Sequence, residues 1–451
     1  MVVLMSTSTN SIDKRMNIVA LTWPLFVEIL LRTALNTSDV FMLSGYSDKA
    51  VSAVGVIAQL SFFLIIVSSM VSSGTGILIA QYNGSERAQE SSYVAVASIA
   101  LSCLVGVLLS LIAVIGAYSF LPLYGLEAQV EQYAQEYLLI SGVMTFNITL
   151  GIVFTTILRS HGYSRSPMLV NLLSGVINII GNYIALYQPF GLPVYGVQGV
   201  AIATVISQVF STIILWQVLK RSDITLPFKQ YRAIPRLIYS RIIKIGAMNA
   251  GEVLSYNMAQ ICITFFIVQM GTASLAAFTY AQNIARLSFA FALALGQGSQ
   301  IQAGYYIGRG WIDSILTRVQ RYFVIGFVVS TAVTVMIYLL RDQVINLFTQ
   351  DPKIAALTAS LIAGSILLEA GRVFNLIFIS ALKAAGDIQF PVKMGIVSMW
   401  GLGVGMSYLF GVYWGYGVLG AWMAIALDEW FRGIIMARRW RSKVWTRYTV
   451  Q

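Results

Sequence analysis

Charged side chains are scarce in this chain, and their scarcity excludes an ordinary soluble protein. Asp, Glu, Lys and Arg make up 10% of the 451 residues, whereas hydrophobic residues make up 57%. Soluble domains carry about 25% charged residues. Long apolar runs recur along the chain, each close to the roughly 20 residues that a membrane-spanning helix needs. Because these runs are continuous rather than alternating, they predict helices and not a membrane barrel.

Residues that bind metals or form disulfides are also few. The two cysteines, Cys103 and Cys262, both fall within apolar runs, and His161 is the single histidine. A structural disulfide or a metal site is therefore not expected. The sequence also has no phosphate-binding loop of the GxxxxGK[ST] type, which excludes a P-loop ATPase. We therefore predict neither an enzyme nor a resident cofactor. The first apolar run is followed by further runs, so it is expected to be a span and not a cleaved signal peptide.

The chain contains an internal repeat with a register of 224 residues. Identical residues recur at this spacing, in the pairs Glu28 and Glu252, Ala53 and Ala277, Gly74 and Gly298, Tyr82 and Tyr306, Gly84 and Gly308, Leu158 and Leu382, Gly162 and Gly386, Pro167 and Pro391, and Gly181 and Gly405. Further on, the stretch 196–199 aligns with 417–420 after a slip of three residues. A register held this long indicates duplication.

The duplication divides the apolar runs into two sets of six. The runs cover 16–36, 51–76, 92–118, 134–158, 168–188, 196–219, 242–268, 274–300, 320–340, 355–382, 392–413 and 415–437. An even number of spans returns the chain to its starting side, so the two repeats are parallel. We predict an all-α integral membrane protein with twelve transmembrane helices, arranged as two parallel six-helix repeats around a central cleft. Such a cleft suits alternating access.

The same division predicts the domain boundaries. Residues 1–15 form an N-terminal tail, 16–219 an N-lobe with helices 1–6, 220–241 a cytoplasmic linker, 242–437 a C-lobe with helices 7–12, and 438–451 a basic cytoplasmic tail.

The loops differ strongly in their positive charge. Most of the 29 Lys and Arg residues fall in loops on one side, whereas only Lys49, Arg341 and Lys353 fall in loops on the other. By the positive-inside rule, this predicts a multi-pass protein of a bacterial-type plasma membrane with both termini in the cytoplasm. The loops also account for the net charge of +11, so a nucleic-acid partner is not expected.

Ionisable side chains within the apolar runs are candidates for function, because placing them in lipid is costly. Opposite charges lie three or four residues apart in three groups, which are Glu28 with Arg32, Glu369 with Arg372, and Arg432 with Asp428 and Glu429. This spacing brings side chains together on one helix face. We interpret them as buried charge pairs that neutralise each other.

Two acids have no basic neighbour on their own helix, namely Asp39 and Glu252. An isolated carboxylate can bind a proton, or a cation if neutral oxygens complete the shell. Asn178 and Asn182 lie four residues apart and therefore share a helix face, and the next span contains Thr204. These residues indicate either a coupling-ion site or a polar network that holds helices together.

Short motifs occur at corresponding points of the two halves. They are Pro24 followed by 39–45, then 80–84, 158–162 with Pro167, 196–201, and 382–387 with Pro391. Together they resemble the motifs of the multidrug and toxic compound extrusion (MATE) family over nearly the full chain. The resemblance implies an antiporter that exports amphipathic, often cationic compounds by alternating access, in exchange for protons or sodium.

The resemblance also assigns residues by position. It implies an N-lobe cation and proton site made of Asp39, Asn178, Asn182 and Thr204, and it makes Glu252 the C-lobe acid, a second proton site or a substrate site.

Two departures from the family pattern favour protons over sodium. Asn182 stands where some members have a second acid, and Arg372 stands where one branch has an acid in the tenth helix. The expected partners are a small-molecule substrate and membrane lipid, with the protein acting as a monomer.

Other kinds of transporter remain as alternatives. A lipid-linked precursor flippase of the same superfamily is the main one. A major facilitator transporter is less favoured, because the loop at 83–87 lacks the expected Gly- and Arg-rich motif. A channel or receptor is less favoured still, because a duplication around a cleft is best explained by alternating access.

Overall fold

The computed structural model describes residues 15–187, 191 and 193–449, without the side chains of residues 36, 37 and 40. Nearly all of the predicted N-terminal tail, the last residue of the fifth predicted span and the last two residues of the chain lie outside this part. The described residues form helices joined by short connections and contain no β-strand.

The helices of the first repeat are α1 (Ile18–Ser44), α2 (Asp48–Gly84), α3 (Ala88–Ser119), α4 (Ala128–Val143), α5 (Thr145–Ser160), α6 (Arg165–Tyr187) and α7 (Gly196–Arg221). The pair α4 and α5 is bent by 48° and forms one broken span. A 3₁₀ turn at Phe228–Ala233 lies between the repeats.

The helices of the second repeat are α8 (Arg236–Gln269), α9 (Thr272–Gly308), α10 (Ile312–Leu339), the short α11 (Arg341–Asn346), α12 (Pro352–Ala384), α13 (Gln389–Ser398) and α14 (Gly417–Arg441). Beyond α13 the chain continues in π-helical turns at Met399–Val404 and Ser407–Tyr413. Its repeat mate α6 is a regular α-helix, so the two spans differ in their hydrogen-bonding pattern. Such π-turns occur frequently at functional sites.

Twelve segments match the twelve predicted spans. Among the described residues, nine helices are long and apolar enough to cross a bilayer, and the bent pair raises the number to ten. The other two are α9 and α14, with 37 and 25 residues. They are less apolar because α9 contains Arg286 and α14 contains a group of charged residues. The prediction of an all-α membrane protein with two repeats of six spans is confirmed.

The backbone contacts divide the chain into two compact units. The first unit comprises 1–79 and 87–250, and the second comprises 80–86 and 251–451. The end of α2 therefore belongs to the second unit, where the Gln81 side-chain amide donates to the Ala384 carbonyl.

Two repeat-related loops end α5 and α12 in the same way. Gly162 and Gly386 adopt φ values of +85° and +88°, which are easily reached only by glycine. The amide that follows each glycine donates to a carbonyl five residues back, at 2.9 Å for Leu158 and 3.1 Å for Leu382. This is the Schellman motif of helix C-termini, and it explains why both halves repeat the same Leu and Gly at this point.

Candidate ion-coupling site and buried charge cluster

A polar network in the first unit joins α1, α6 and α7. The Asn182 amide donates to Asp39 Oδ1 at 2.7 Å, and the Asn178 amide donates to Thr204 Oγ1 at 3.1 Å. Asn182 Nδ2 also lies 3.4 Å from Asn178 Oδ1. The structure therefore brings together the four residues that the sequence suggested for one site, which we call the Asp39 network.

Close packing of α6 against α7 positions this network. A Cβ atom at Gly181 would lie 2.6 Å from the Ala203 Cβ atom, so only glycine permits this helix separation. Ala203 directly precedes Thr204, and Gly181 directly precedes Asn182. The short separation lets the short side chains of Asn178 and Thr204 reach each other.

The Asp39 carboxyl group can be accommodated with or without a proton. Asp39 is half-buried, and among the described residues it has no cationic partner. Asn182 is almost fully buried, and its Oδ1 atom has no hydrogen-bond donor in this part of the chain. A side-chain amide offers both donors and acceptors. Asn182 can therefore donate to an ionised Asp39, or accept from a protonated one after its amide rotates.

Tyr137 on α4 adds a hydroxyl group that the sequence analysis missed. This hydroxyl lies near Thr204 and Asp39 and interacts with both. The helix α4 contains two tyrosines, Tyr133 and Tyr137, among several Gln and Glu residues, and the sequence analysis assigned no role to either.

The predicted ion pair between Glu28 and Arg32 is wrong. The Glu28 carboxylate instead forms a salt bridge with Arg159, at the end of α5, and accepts a hydrogen bond from Asn171 at 3.0 Å. Glu28 is buried, whereas Arg32 is exposed. The neighbouring helices therefore supply both partners of Glu28, while Arg32 projects from the unit.

Glu252 also has a cationic partner, contrary to expectation. Lys383, in the last turn of α12, forms a salt bridge with its carboxylate. Lys383 and Glu252 are the repeat mates of Arg159 and Glu28, and both pairs span 131 residues. The ion pair is therefore a feature of the repeat.

The two ion pairs differ in their third partner. Asn171 donates to Glu28, but the repeat mate of Asn171 is Gly395. A Cβ atom at Gly395 would lie 3.4 Å from Glu252 Oε1. The second unit therefore has glycine where the first unit has an amide donor. Glu252 lacks the side-chain hydrogen bond that Glu28 accepts from Asn171.

A larger group of charges lies in the second unit, between α12 and α14. Its members, which we call the charge cluster, are Glu369, Arg372, Asp428, Glu429 and Arg432. Arg372 donates to Glu369 at 2.6 Å, and Arg432 contacts Asp428 at 2.7 Å and Glu429 at 2.9 Å. The predicted spacings of three and four residues thus correspond to real contacts here.

Neutral side chains complete much of the charge cluster. Asn375 donates to Glu429 Oε2 at 2.9 Å, and Ser398 donates to Asp428 Oδ1. Tyr256 on α8 lies close enough to interact electrostatically with both arginines and with the two acids of α14. A small cavity reaches Asp428 and is lined also by Tyr256 and Gln260.

His161 lies in the loop after α5, outside the spans. Its Nδ1 atom is 2.8 Å from the Ile157 carbonyl oxygen. Burial lowers the pKa of His161 to about 4, against the smaller opposing effect of the Ile157 carbonyl, and the positive charge of Arg15 lowers it a little further. The imidazole is therefore neutral at physiological pH, and it packs in the loop.

Comparison with known proteins finds relatives along the whole chain. The MatE family model matches twice, at residues 24–184 and 250–409. The "Uncharacterized transporter YisQ" of Bacillus subtilis is 38% identical, covering 96% of this chain and 95% of its own length. The "Probable multidrug resistance protein NorM" of Thermotoga maritima is 26% identical, covering 97% and 94%.

Solved structures show the same fold. A crystal structure of MATE in the bent conformation has a TM-score of 0.89 and 23% identity, covering 96% of this chain and 97% of its own. A MOP superfamily transporter from Pyrococcus furiosus has a TM-score of 0.86 and 24% identity, covering 94% and 95%. The double match of the family model falls on the two repeats, and the chain belongs to the MATE family.

Proposed function

We propose that this chain is a secondary active transporter that exports amphipathic, cationic small molecules in exchange for protons, by alternating access. Its relatives support multidrug efflux, since NorM of Thermotoga maritima is named as a probable multidrug resistance protein. Crystal structures of MATE in complex with MaD3S and with MaL6 support the binding of a ligand. We place the protein in a bacterial plasma membrane, acting as a monomer with both termini in the cytoplasm.

The Asp39 network is the proposed coupling site. The observation that carries this assignment is the hydrogen bond from Asn182 to Asp39, next to the undonated Oδ1 atom of Asn182. Both protonation states of Asp39 find a partner there, which a carrier that exchanges protons needs. The network has a single carboxylate, so a sodium ion there would depend on neutral amide and hydroxyl oxygens for its other ligands. Protons are therefore favoured over sodium.

Glu252 is the proposed second site, for a proton or for a positively charged substrate. The salt bridge to Lys383 means that Glu252 becomes free for a cationic ligand only when Lys383 releases it.

Transport into proteoliposomes tests the coupling assignment. Ethidium, a fluorescent amphipathic cation, serves as the probe, and either a pH gradient or a sodium gradient is imposed. We expect the pH gradient alone to drive uphill ethidium movement, and Asp39→Asn to abolish it. Asp48→Asn is the matched control, because Asp48 is an exposed acid at the start of α2. Full uphill transport by Asp39→Asn would exclude Asp39 from coupling, and transport driven by sodium alone would exclude protons.

A further inference from the structure

We propose that the charge cluster of the second unit binds one exchangeable proton, which it takes up at Glu369. The inference concerns a site separate from the Asp39 network, and it does not depend on the proposed transport activity.

The balance of charges is the first argument. The cluster contains three carboxyl groups, of Glu369, Asp428 and Glu429, but only two guanidinium groups, of Arg372 and Arg432. With all five groups ionised, one negative charge would be left over in a buried place. An uncompensated buried charge costs several kcal/mol. Binding one proton makes the cluster neutral.

The hydrogen bonds show where the proton is best placed. Asp428 accepts from Ser398 at Oδ1 and from Arg432 at Oδ2. Glu429 meets Arg432 at Oε1 and Asn375 at Oε2. Both oxygens of each of these two acids therefore have a donor.

Glu369 is different from the two acids of α14. Arg372 donates to its Oε1 atom, but its Oε2 atom has no hydrogen-bond partner among the described residues, and its side chain is 0% exposed. A bare carboxylate oxygen in such a place is unfavourable. Protonation at Oε2 therefore lowers the free energy of the charge cluster more than protonation at any other carboxylate oxygen. The three acids titrate as a group.

A proton fits this site better than a metal ion. The oxygens of Asp428 and Glu429 already contact donors, and the described residues contain no cluster of three or more His, Cys, Asp or Glu side chains arranged to hold a metal. Among the residues that the structure describes, the other titratable side chain that acts electrostatically on the charge cluster is Tyr256 on α8, whose neutral hydroxyl does not change the charge balance.

The neighbouring backbone leaves room for a proton path. The π-helical turn Met399–Val404 lies beside Asp428, and a Cβ atom at Gly403 would be 3.8 Å from Asp428 Oδ2. The small cavity on this side has polar lining from Tyr256 and Gln260. At Asp428, the charge cluster therefore borders a small cavity that contains polar groups.

Infrared difference spectroscopy on the purified protein tests the proposal without any substrate. The carboxylic acid C=O band is followed while the pH is raised from about 5 to about 9, and proton release is counted in parallel. We expect Glu369→Gln to remove one carboxylic acid band and to release about one proton fewer than the unmodified protein. Asp39→Asn is the control, and it should leave this band in place while removing its own.

A second variant covers the case in which Glu369→Gln does not fold. Glu429→Gln also leaves two acids for two arginines, so it should remove the same proton by balancing the charges. An unchanged band and unchanged proton release in whichever variant folds would overturn the proposal. Loss of the band supports it even if ethidium transport proves not to depend on protons.

Discussion

Two arginines lie close to Glu28, Arg32 in the sequence and Arg159 in the structure, and they have very different roles. Arg159 forms the salt bridge with this buried carboxylate, whereas Arg32, four residues further along the same helix, is exposed. The consequence of losing each one should therefore differ.

We predict that Arg159→Gln lowers stability by about 3–5 kcal/mol, because it leaves Glu28 buried without its cation. Arg32→Gln should cost less than about 0.5 kcal/mol, as expected for a surface substitution. Thermal unfolding of the purified proteins in detergent measures both effects. The double variant Glu28→Gln with Arg159→Gln should be more stable than Arg159→Gln alone. Equal losses for Arg159→Gln and Arg32→Gln would contradict the pairing.

Contacts between residues close together in the sequence could be predicted from spacing, whereas contacts between residues far apart in the sequence could not. Asn178 and Asn182 share a helix face at a spacing of four, so their proximity could be predicted. The partner of Glu28 lies 131 residues away, and local spacing favoured Arg32 instead. A signal did exist, because a basic residue recurs at 159 and 383 in the same register as Glu28 and Glu252. No comparable recurrence in the repeat register indicated Tyr137 or Asn171.

At the scale of helices, the contact between α6 and α7 decides whether the Asp39 network can form. The separation depends on Gly181, where a Cβ atom would approach Ala203. By contrast, a Cβ atom at Gly116 in α3 would meet nothing within 4 Å.

We predict that Gly181→Ala lowers stability by about 1–3 kcal/mol, because overpacking pushes the two helices apart. It should also weaken proton-driven ethidium transport, since Thr204 moves away from Asn178. Gly116→Ala is the matched control, and it should be neutral or slightly stabilising because alanine favours helix. Thermal unfolding and the proteoliposome assay provide the measurements. Wild-type behaviour of Gly181→Ala in both would show that the close approach is not required.

The π-helical turns after α13 could not be predicted from the sequence. Its repeat mate α6 is a regular α-helix with the same glycine, Gly181 in place of Gly405. An apolar run indicates a span, but it does not distinguish between hydrogen-bonding patterns that differ by one residue. Ser398, directly before the first π-helical turn, donates to Asp428 on α14, a contact that the apolar run itself does not reveal.

At the scale of the whole molecule, all twelve spans could be predicted from the apolar runs, and the repeat divided them into two sets of six. The helices α9 and α14 are less apolar than the other spans, but each aligns with an apolar helix of the first repeat, α2 and α7. The polar residues of α14 include Asp428, Glu429 and Arg432, which are three of the five members of the charge cluster.

We predict that the segment between the two repeats lies in the cytoplasm. In a variant without Cys103 and Cys262, a cysteine at position 230 should resist a membrane-impermeant maleimide in intact cells, whereas a cysteine at 353 should react. Both native side chains, Gln230 and Lys353, are exposed, so access depends on the side of the membrane. Labelling at 230 from outside would invert the topology.

The two units also differ in where their polar residues fall in the shared register. Asp39, Asn182 and Thr204 correspond to Ile263, Met406 and Ile425, if the slip of three residues before the last span is included. In the opposite direction, Glu369, Asp428 and Arg432 correspond to Thr145, Ser207 and Ser211.

This exchange makes the two halves of the gene non-interchangeable. A chain built from two first halves would have two Asp39 networks and no charge cluster, and a chain built from two second halves would have the reverse. The two halves of one duplicated segment have thus diverged. The second half has apolar side chains where the first has Asp39, Asn182 and Thr204, and the first half has small hydroxyl side chains where the second has Glu369, Asp428 and Arg432. Equivalent positions should therefore tolerate opposite classes of substitution, although the helices that carry them share one ancestry.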